Sequence, residues 1–324
     1  MRSFAAAAGL ALLSAPFVAA QTYTSCNPTS NCMPTWDFTK GENESWTAAI
    51  GTNLGWDSEL GAVFTIDSKT DAPTYHTDFY IFFGYVEVKM RAANGTGIIS
   101  SIVIESEDLD EIDWEWLGGN NTSVETNYFG KGNTTTYDRA IYYDLETPCD
   151  TMHTYGINWT AEALTWYIDG EAVRTLEYSD ALNGSNYPQT PSRVSLGSWA
   201  GGASSNYWTV QWAGGETDFD DAPFNMYVES VKVINYNPGM NYNYTDETGS
   251  WQSIDVLNHT VAKNTSTSTA TASSGIGASE TGASASGSAF AQSGTSAAAM
   301  GVDSSWIISG AVGIVGFALG FACL

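Results

Sequence analysis

A short segment in the first half of the chain alternates strictly between acidic and large apolar residues. Residues 111–117 read Glu-Ile-Asp-Trp-Glu-Trp-Leu. A period of two places alternate side chains on opposite faces of a β-strand. The three acids therefore share one face, and the apolar residues share the other. Since the apolar face has to be buried against a second layer, this segment predicts a strand of a sheet that packs against another sheet.

Further segments carry strand and turn signals. Residues 79–90 and 97–104 are runs of β-branched and aromatic residues bounded by Gly, Asn and acids. In residues 164–176, Asp169 and Gly170 lie between two alternating runs, which predicts a hairpin. No long segment shows the 3.6-residue period of a helix. The sequence therefore predicts an all-β fold, an antiparallel β-sandwich.

The composition limits the class of partner. The 324 residues contain 36 acidic and 11 basic side chains, a formal net charge of −25. Such a surface repels nucleic acid, so we expect no nucleic-acid partner. The chain is also rich in Trp, Tyr and Gly, with 12, 17 and 32 of each, while only 15% of its residues are charged. This combination favours an all-β protein that contacts carbohydrate, and we expect a monomer.

Residues 1–20 have the pattern of a secretory signal peptide. They begin with the basic Arg2, continue through an apolar run and end in Val18-Ala19-Ala20, the small-residue pattern that a signal peptidase requires. The mature protein is expected to begin at Gln21, with residues 21–258 as its one folded domain. The sequence therefore predicts secretion.

The C-terminal region has the pattern of a glycosylphosphatidylinositol (GPI) attachment signal. Residues 306–324 carry no charge and no basic flank, and small residues precede a polar spacer. We expect residues 295–324 to be removed, with attachment at Ser293 or Gly294. A single transmembrane helix is the alternative. Residues 259–294, rich in Ser, Thr, Ala and Gly, predict a flexible, O-glycosylated stalk.

Cysteine and asparagine positions also fit a secreted protein. Cys26 and Cys32 are close in sequence and are expected to form a disulfide, while Cys323 would leave with the C-terminal signal. Cys149 then has no partner and is expected to be a buried, unreactive thiol. Asn158 lies within an expected strand, and adjacent Asn120 and Asn121 compete, so not every N-glycosylation triplet is usable. The triplets begin at Asn43, Asn94, Asn120, Asn121, Asn133, Asn158, Asn183, Asn243, Asn258 and Asn264.

The three acids predict a catalytic site. Glu111 and Glu115 lie four residues apart, so their Cα atoms are roughly 13 Å apart along a strand. Side chains that lean together can bring the carboxyl groups to about 5–6 Å, the separation found in retaining glycosidases. We assign Glu111 as the nucleophile, Asp113 as the assisting acid and Glu115 as the general acid/base. This chemistry requires neither a metal nor a cofactor.

Two other interpretations of the acids are a solvated strand edge and a calcium site. Three like charges crowded between Trp residues destabilise a sheet unless a function compensates for them. That cost favours catalysis over both alternatives.

At these residues the sequence resembles glycoside hydrolase family 16, and more closely the fungal Crh cell-wall transglycosylases. The family signature is Glu-x-Asp-x-Glu on a strand of a concanavalin-A-like jelly roll. The resemblance covers most of residues 21–250. It is carried by residues 80–81, 84–90, 97–101, 108–118, 126–130, 153–159 and 198–202.

The resemblance implies an enzyme that cleaves chitin and transfers the glycosyl group to a β-glucan or chitin acceptor, cross-linking the fungal wall. It would act outside the cell, held at the plasma membrane or the wall by a GPI anchor. The alternatives are an endo-acting hydrolase (a chitinase or β-glucanase), a lectin-like wall-binding protein without catalysis, and a structural wall mannoprotein.

Candidate sugar-binding residues follow from aromatic chemistry and from the same resemblance. Trp199, Trp208 and Trp212 would serve as stacking platforms, although each is equally plausible as a core residue. His153 is expected beside the acids or as a hydrogen-bonded structural residue. Arg139 is expected in the donor site or in a surface ion pair. The loop that follows the acidic strand adds Tyr128, Phe129 and Tyr137 to the donor-site candidates.

Overall fold

The structure is a computed structural model that describes residues 22–24, 34–49, 52 and 54–258. The predicted signal peptide, the Cys26–Cys32 pair, the stalk, the glycosylation triplet at Asn264 and the C-terminal attachment signal lie outside these residues. Within the described part, no helix is long and apolar enough to cross a membrane.

The described chain is built almost entirely from short strands, together with one α-helix, α1 (Tyr207–Trp212). The strands are β1 Thr22–Thr24, β2 Thr35–Asp37, β3 Trp46–Ala48, β4 Leu54–Asp57, β5 Gly61–Ile66, β6 Thr74–Thr77, β7 Gly84–Arg91, β8 Ile98–Ser106, β9 Glu111–Leu117, β10 Ser123–Phe129, β11 Ile141–Asp144, β12 His153–Trp159, β13 Ala163–Ile168, β14 Glu171–Glu177, β15 Ser192–Ala200, β16 Phe224–Asn235, β17 Asn241–Tyr244 and β18 Ile254–Leu257.

Two antiparallel sheets form the layers of a sandwich. The first has the strand order β11-β10-β9-β8-β15-β6-β3. The second has the order β14-β13-β12-β7-β16-β5-β4, and β2 also pairs with β16. A small third sheet has the order β1-β17-β18. The predicted antiparallel β-sandwich is confirmed.

Large aromatic side chains fill the space between the two main sheets. Trp114 and Trp116 of β9 are fully buried, as are Trp159 of β12 and Trp166 of β13. The Trp114 indole donates a hydrogen bond to the Gly156 carbonyl across the layers at 3.4 Å. The period-two pattern of the sequence produces this core directly, because every second residue of β9 points into it.

The predicted hairpin is present between β13 and β14. Its two turn residues, Asp169 and Gly170, have positive φ angles of 49° and 85°. Both central residues of a type I′ turn need such angles, which explains the choice of Asp-Gly at this position. The strand expected over residues 79–90 is shorter than predicted, since β7 begins at Gly84 and Ile81 makes only an isolated bridge to Ser192.

Cys149 is a buried free thiol, as the sequence predicts. Burial raises its pKa to about 11, so the thiol stays protonated and unreactive at neutral pH. Among the glycosylation triplets, Asn94, Asn183 and Asn258 are exposed, whereas Asn158 lies within β12 as expected.

Candidate active site

The acidic strand β9 lies inside the first sheet, between β8 and β10. On the β8 side, Glu111 is directly opposite Glu105, and Glu115 is opposite Ser101. On the β10 side, Glu115 is opposite Glu125. Residues directly opposite each other point to the same side of a sheet. Five acids therefore share one surface, called here the acidic face: Glu105, Glu111, Asp113, Glu115 and Glu125.

The two faces of β9 have opposite environments. Ile112, Trp114 and Trp116 are at most 1% exposed and pack between the sheets. On the other face Asp113 is 2% exposed, while Glu111 and Glu115 are half-buried. This division matches the faces predicted from the sequence. The two outer acids remain partly accessible, and the acid between them is covered.

Burial makes ionisation of the three central carboxyl groups unfavourable. It raises the pKa of Glu111, and a hydrogen bond with Asp113 opposes this effect. The pKa of Asp113 lies well above its ordinary value because of burial and the neighbouring charges of Glu111 and Glu115. Asp113 therefore keeps its proton and supports the negative charge of Glu111 through the hydrogen bond between them.

Glu115 is the proton-holding member of the outer pair. Burial raises its pKa well above the ordinary value, and the charges of Glu125 and Glu111 raise it further. The protonated form of Glu115 is thus favoured four residues from Glu111, the carboxyl group that Asp113 supports. An acid and a nucleophile with separated pKa values are what a retaining mechanism requires.

Glu125 lies at one end of the acidic face and was not singled out from the sequence. Its side chain accepts a 3.0 Å hydrogen bond from the indole Nε1 of Trp212 and also hydrogen-bonds Tyr142. Polar residues recur with a period of two at Ser123, Glu125 and Asn127, and this spacing is the signal that could have identified Glu125. Its position opposite Glu115 depends on the strand register, which one sequence does not give.

Glu105 lies at the other end of the acidic face. Burial raises its pKa to about 8, with added contributions from the charges of Glu111 and Glu107. Arg193 of β15 is its direct cross-strand neighbour, and the Arg193 guanidinium lies 4.6 Å from the ring centroid of Tyr80. The sequence does not identify Glu105 as a member of this site, because Glu105 directly follows the apolar run of residues 97–104 and precedes the acidic motif.

Aromatic side chains lie beside Glu125. Trp199 of β15 stacks on Trp212 of α1, with ring centroids 6.1 Å apart and an interplanar angle of 26°. Because Trp212 also reaches Glu125, α1 connects β15 with β10 at this end of the acidic face. Both Trp199 and Trp212 are half-buried, and Trp208 is 37% exposed. None of the three is a fully buried core residue.

The predicted donor-site residues after β9 separate into two groups. Phe129 is directly opposite Glu111 and therefore lies on the acidic face. Tyr128 is opposite Ile112 and points to the other side of the sheet, where Arg174 lies 5.5 Å from its ring. Tyr128, a donor-site candidate of the sequence, therefore does not lie on the acidic face with Phe129, because a one-residue step along a strand reverses the side chain.

Arg139 organises the loop that follows β10. Its guanidinium donates hydrogen bonds to the carbonyl oxygens of Tyr128, Asn133 and Thr136 at 2.7–3.0 Å. The group also lies 4.6 Å from the ring centroid of Phe129. In this structure Arg139 supports the loop through backbone contacts instead of the expected surface ion pair. The ring of Tyr137 lies 6.2 Å from Phe129.

His153 lies away from the acidic face. It begins β12 in the second sheet, where Nδ1 is 2.7 Å from an Asp169 carboxylate oxygen and Nε2 is 3.1 Å from the Glu146 carbonyl. Both ring nitrogens are therefore engaged at the end of the hairpin. His153 therefore does not contact a catalytic carboxyl group, and its two contacts fit the alternative of a hydrogen-bonded structural histidine.

Other features of the described chain do not compete with the acidic face as a reaction site. No group of three or more His, Cys, Asp or Glu side chains among the described residues is arranged to hold a metal ion. A cavity of about 500 Å³ lies elsewhere, lined by Phe82, Phe83, Tyr236 and Trp251 among others, with Glu162 as its one acid. The acidic face, by contrast, carries two carboxyl groups with different pKa values, those of Glu111 and Glu115.

Known proteins resemble this chain over the region that contains the acidic face. The family model for glycosyl hydrolases family 16 matches residues 42–219. Crh-like protein 1 of Aspergillus fumigatus is 64% identical over 247 residues, covering 75% of this chain and 68% of that protein. Congo red hypersensitive protein 1 of Saccharomyces cerevisiae is 43% identical over 241 residues, 71% of this chain and 47% of that protein.

Solved structures show the same relationship. A Crh5 transglycosylase in complex with NAG is 51% identical, with a TM-score of 0.70, covering 73% of this chain and 96% of that chain. The β-glucanase of Bacillus licheniformis is 22% identical with a TM-score of 0.54, over 63% of this chain and 98% of that one, and shares the fold. By sequence match and by structure, this chain belongs to the glycosyl hydrolases of family 16.

Proposed function

We propose that this protein is a retaining transglycosylase of the fungal cell wall, which cleaves chitin and transfers the released glycosyl group to a β-glucan or chitin acceptor. The observation that carries the proposal is the acidic face: Glu111 and Glu115 lie partly exposed on either side of the buried Asp113. The likeness to the Crh5 transglycosylase supports transfer as the reaction type.

In the first step, the Glu111 carboxylate attacks the anomeric carbon of the donor sugar and forms a glycosyl ester. The bond from that carbon to the leaving oxygen breaks, and Glu115 gives its proton to the leaving oxygen. Asp113 holds Glu111 in its ionised form by donating a hydrogen bond to it. Glu115 begins the step in the protonated form that burial and the neighbouring charges favour.

In the second step, the Glu115 carboxylate accepts the proton of an acceptor hydroxyl group. The acceptor oxygen attacks the anomeric carbon, and Glu111 leaves as a carboxylate. Two inversions restore the original configuration. When the acceptor is a sugar the outcome is transfer, and when it is water the outcome is hydrolysis.

Transfer requires a sugar hydroxyl group to be held near the ester while water is excluded. The stacked pair Trp199 and Trp212 offers aromatic surface at the Glu115 end of the acidic face. Trp208 adds an exposed indole, and Phe129 offers a ring opposite Glu111. We assign these four aromatic residues to sugar binding, and Arg139 to holding the loop beside Phe129.

The test is incubation of the protein with a chitin oligosaccharide donor and fluorescently labelled β-glucan or chitin acceptors. Labelled product of higher mass is expected. Shortened donor alone would identify a hydrolase, and binding without reaction would identify a lectin-like protein. The matched control is Glu111→Gln, which keeps the size of the side chain but removes the nucleophile and is expected to lower the rate at least about 10³-fold.

The site of action follows from the sequence patterns at both ends and from the relatives. We propose that the protein is secreted and held at the membrane or wall by a GPI anchor attached at Ser293 or Gly294. Treatment of intact cells with a phosphatidylinositol-specific phospholipase is expected to release the protein into the medium. Retention that is unaffected by the phospholipase but lost in detergent would favour a transmembrane helix.

A further inference from the structure

Glu125 is surrounded by hydrogen-bond donors, in contrast to the acid opposite it. The indole nitrogen of Trp212 can only donate, and it does so to Glu125 at 3.0 Å. Tyr142 of the neighbouring strand β11 also hydrogen-bonds this carboxyl group. Burial raises the pKa of Glu125, and these two hydrogen bonds oppose the rise. Every cause raises the pKa of Glu115 instead, so Glu125 is the member of the pair that ionises more readily.

The groups that face Glu125 come from four elements. Glu115 faces it from β9, Tyr142 from β11 and Trp212 from α1. The positive charge of Arg174 of β14 adds to the hydrogen bonds that oppose the rise in the pKa of Glu125 caused by burial. Glu115 is faced by Glu111 and Asp113 of its own strand, by Glu125, and by the uncharged Ser101 of β8.

Glu115 and Glu125 therefore have different roles in a directly opposed pair. Glu125 is 2% exposed and anchored by donors from both sides, whereas Glu115 is the acid that loses and regains a proton. The negative charge of ionised Glu125, directly across the strand pair, opposes the loss of the proton from Glu115 because like charges repel.

The influence of Glu125 persists through the whole reaction, whereas that of Glu111 does not. Once Glu111 becomes a neutral glycosyl ester, its charge no longer raises the basicity of Glu115. The charge on Glu125 remains, so it keeps Glu115 basic enough to take the proton of the acceptor hydroxyl in the second step.

We propose that Glu125 is a positioning residue that keeps Glu115 protonated before the first step and basic during the second step. This inference rests on the proposed function, since it assigns Glu125 a role in that same reaction. Trp212 connects this role to sugar binding, because one indole both stacks on Trp199 and donates to Glu125.

The test is the pH dependence of kcat/KM in Glu125→Gln, with the chitin donor and fluorescent acceptor. Glutamine keeps an acceptor oxygen for Trp212 but carries no charge. The alkaline limb, which reports loss of the Glu115 proton, is expected to move down by about 1 pH unit. Intact-mass measurement during turnover is expected to show a severalfold larger fraction of glycosyl-enzyme, because the second step slows.

Two further variants make the test specific. Glu87→Gln removes a carboxylate that accepts a 2.6 Å hydrogen bond from Tyr85 on the second sheet, and it is expected to leave both limbs in place. Trp212→Phe keeps a ring but removes the donor to Glu125, so its alkaline limb is expected to move down by a smaller amount. If Glu125→Gln fails to fold, the alkaline limb of kcat/KM in Trp212→Phe provides the test instead.

An equal loss of rate at every pH, with the alkaline limb in place, would show that Glu125 is only structural and would overturn the inference. A limb that moved to higher pH would overturn it as well. Failure of the wild-type protein to transfer or cleave sugar would instead reject the proposed function, so the two failures are distinguishable.

Discussion

Asp113 differs from its two acidic neighbours because it is almost completely buried, at 2% exposure. Its pKa is raised by burial first and by the charges of Glu111 and Glu115 next. The proton that it retains is the group that hydrogen-bonds Glu111. At the scale of single residues, one buried neutral acid thus separates the protonation states of two otherwise similar glutamates.

Replacement of Asp113 tests this division of roles. Asp113→Leu removes the hydrogen bond that lowers the pKa of Glu111, so the acid limb of kcat/KM is expected to move to higher pH and the rate to fall about 10²-fold or more. Asp113→Asn keeps an N–H donor and should retain a limb close to that of the wild type. An acid limb that stayed in place in Asp113→Leu would contradict the role of Asp113.

At the scale of elements, β10 is held from the second sheet by Arg174 of β14. The guanidinium donates to the Thr126 carbonyl at 2.9 Å, to the Thr126 hydroxyl at 2.8 Å and to the Arg139 carbonyl at 2.8 Å. It also lies 4.6 Å from the ring of Trp166. These contacts fix the strand that carries Glu125 and Phe129, so Arg174 supports the acidic face without lying on it.

Arg174→Met is expected to destabilise the protein by about 2–4 kcal/mol, because it removes three charge-assisted hydrogen bonds to β10 and the loop that follows it. The comparison is Arg91→Met, which removes only a stacking contact with Tyr227 at 4.4 Å and is expected to cost less than about 1 kcal/mol. Urea unfolding followed by Trp fluorescence measures both values. Equal costs for the two variants would show that Arg174 does not hold β10.

The sequence predicts the position and faces of an individual strand better than it predicts which strands pair with it. The faces of β9 and the Asp169-Gly170 turn follow from local rules, because period two and positive φ angles are properties of consecutive residues. The positions of Glu105 and Glu125 beside β9, and of Tyr142 beside Glu125, follow from cross-strand register, which depends on long-range pairing. The same holds for Tyr128, because its side of the sheet depends on its pairing with Ile112 of β9.

At the scale of the whole molecule, the protein keeps several protonated acids on one surface while carrying a net charge of −25. Glu105 illustrates the consequence, with a folded-state pKa of about 8 against an ordinary value of 4.5. Between these two pH values the unfolded chain has released the proton and the folded chain has kept it. Folding stability therefore falls as pH rises through this interval.

The melting temperature is expected to be higher at pH 5 than at pH 8 by roughly 5–10 °C. The free energy of unfolding falls by a few kcal/mol over this interval, and each kcal/mol shifts Tm by about 2–4 °C. Glu105→Gln cannot ionise, so its melting temperature should depend less on pH over the same interval. Differential scanning calorimetry at several pH values provides the measurement. A wild-type Tm that rose from pH 5 to pH 8 would contradict the assignment of buried, protonated acids.

The most direct test of the account is to locate the glycosyl ester. Glu115→Gln, incubated with a chitin oligosaccharide whose aryl leaving group needs no proton, should form the ester and release it slowly, because the general base is missing. Peptide mass spectrometry is expected to find the sugar on Glu111. An adduct on another carboxyl group, or no adduct when the aryl group is released, would contradict the assignment of Glu111 as the nucleophile.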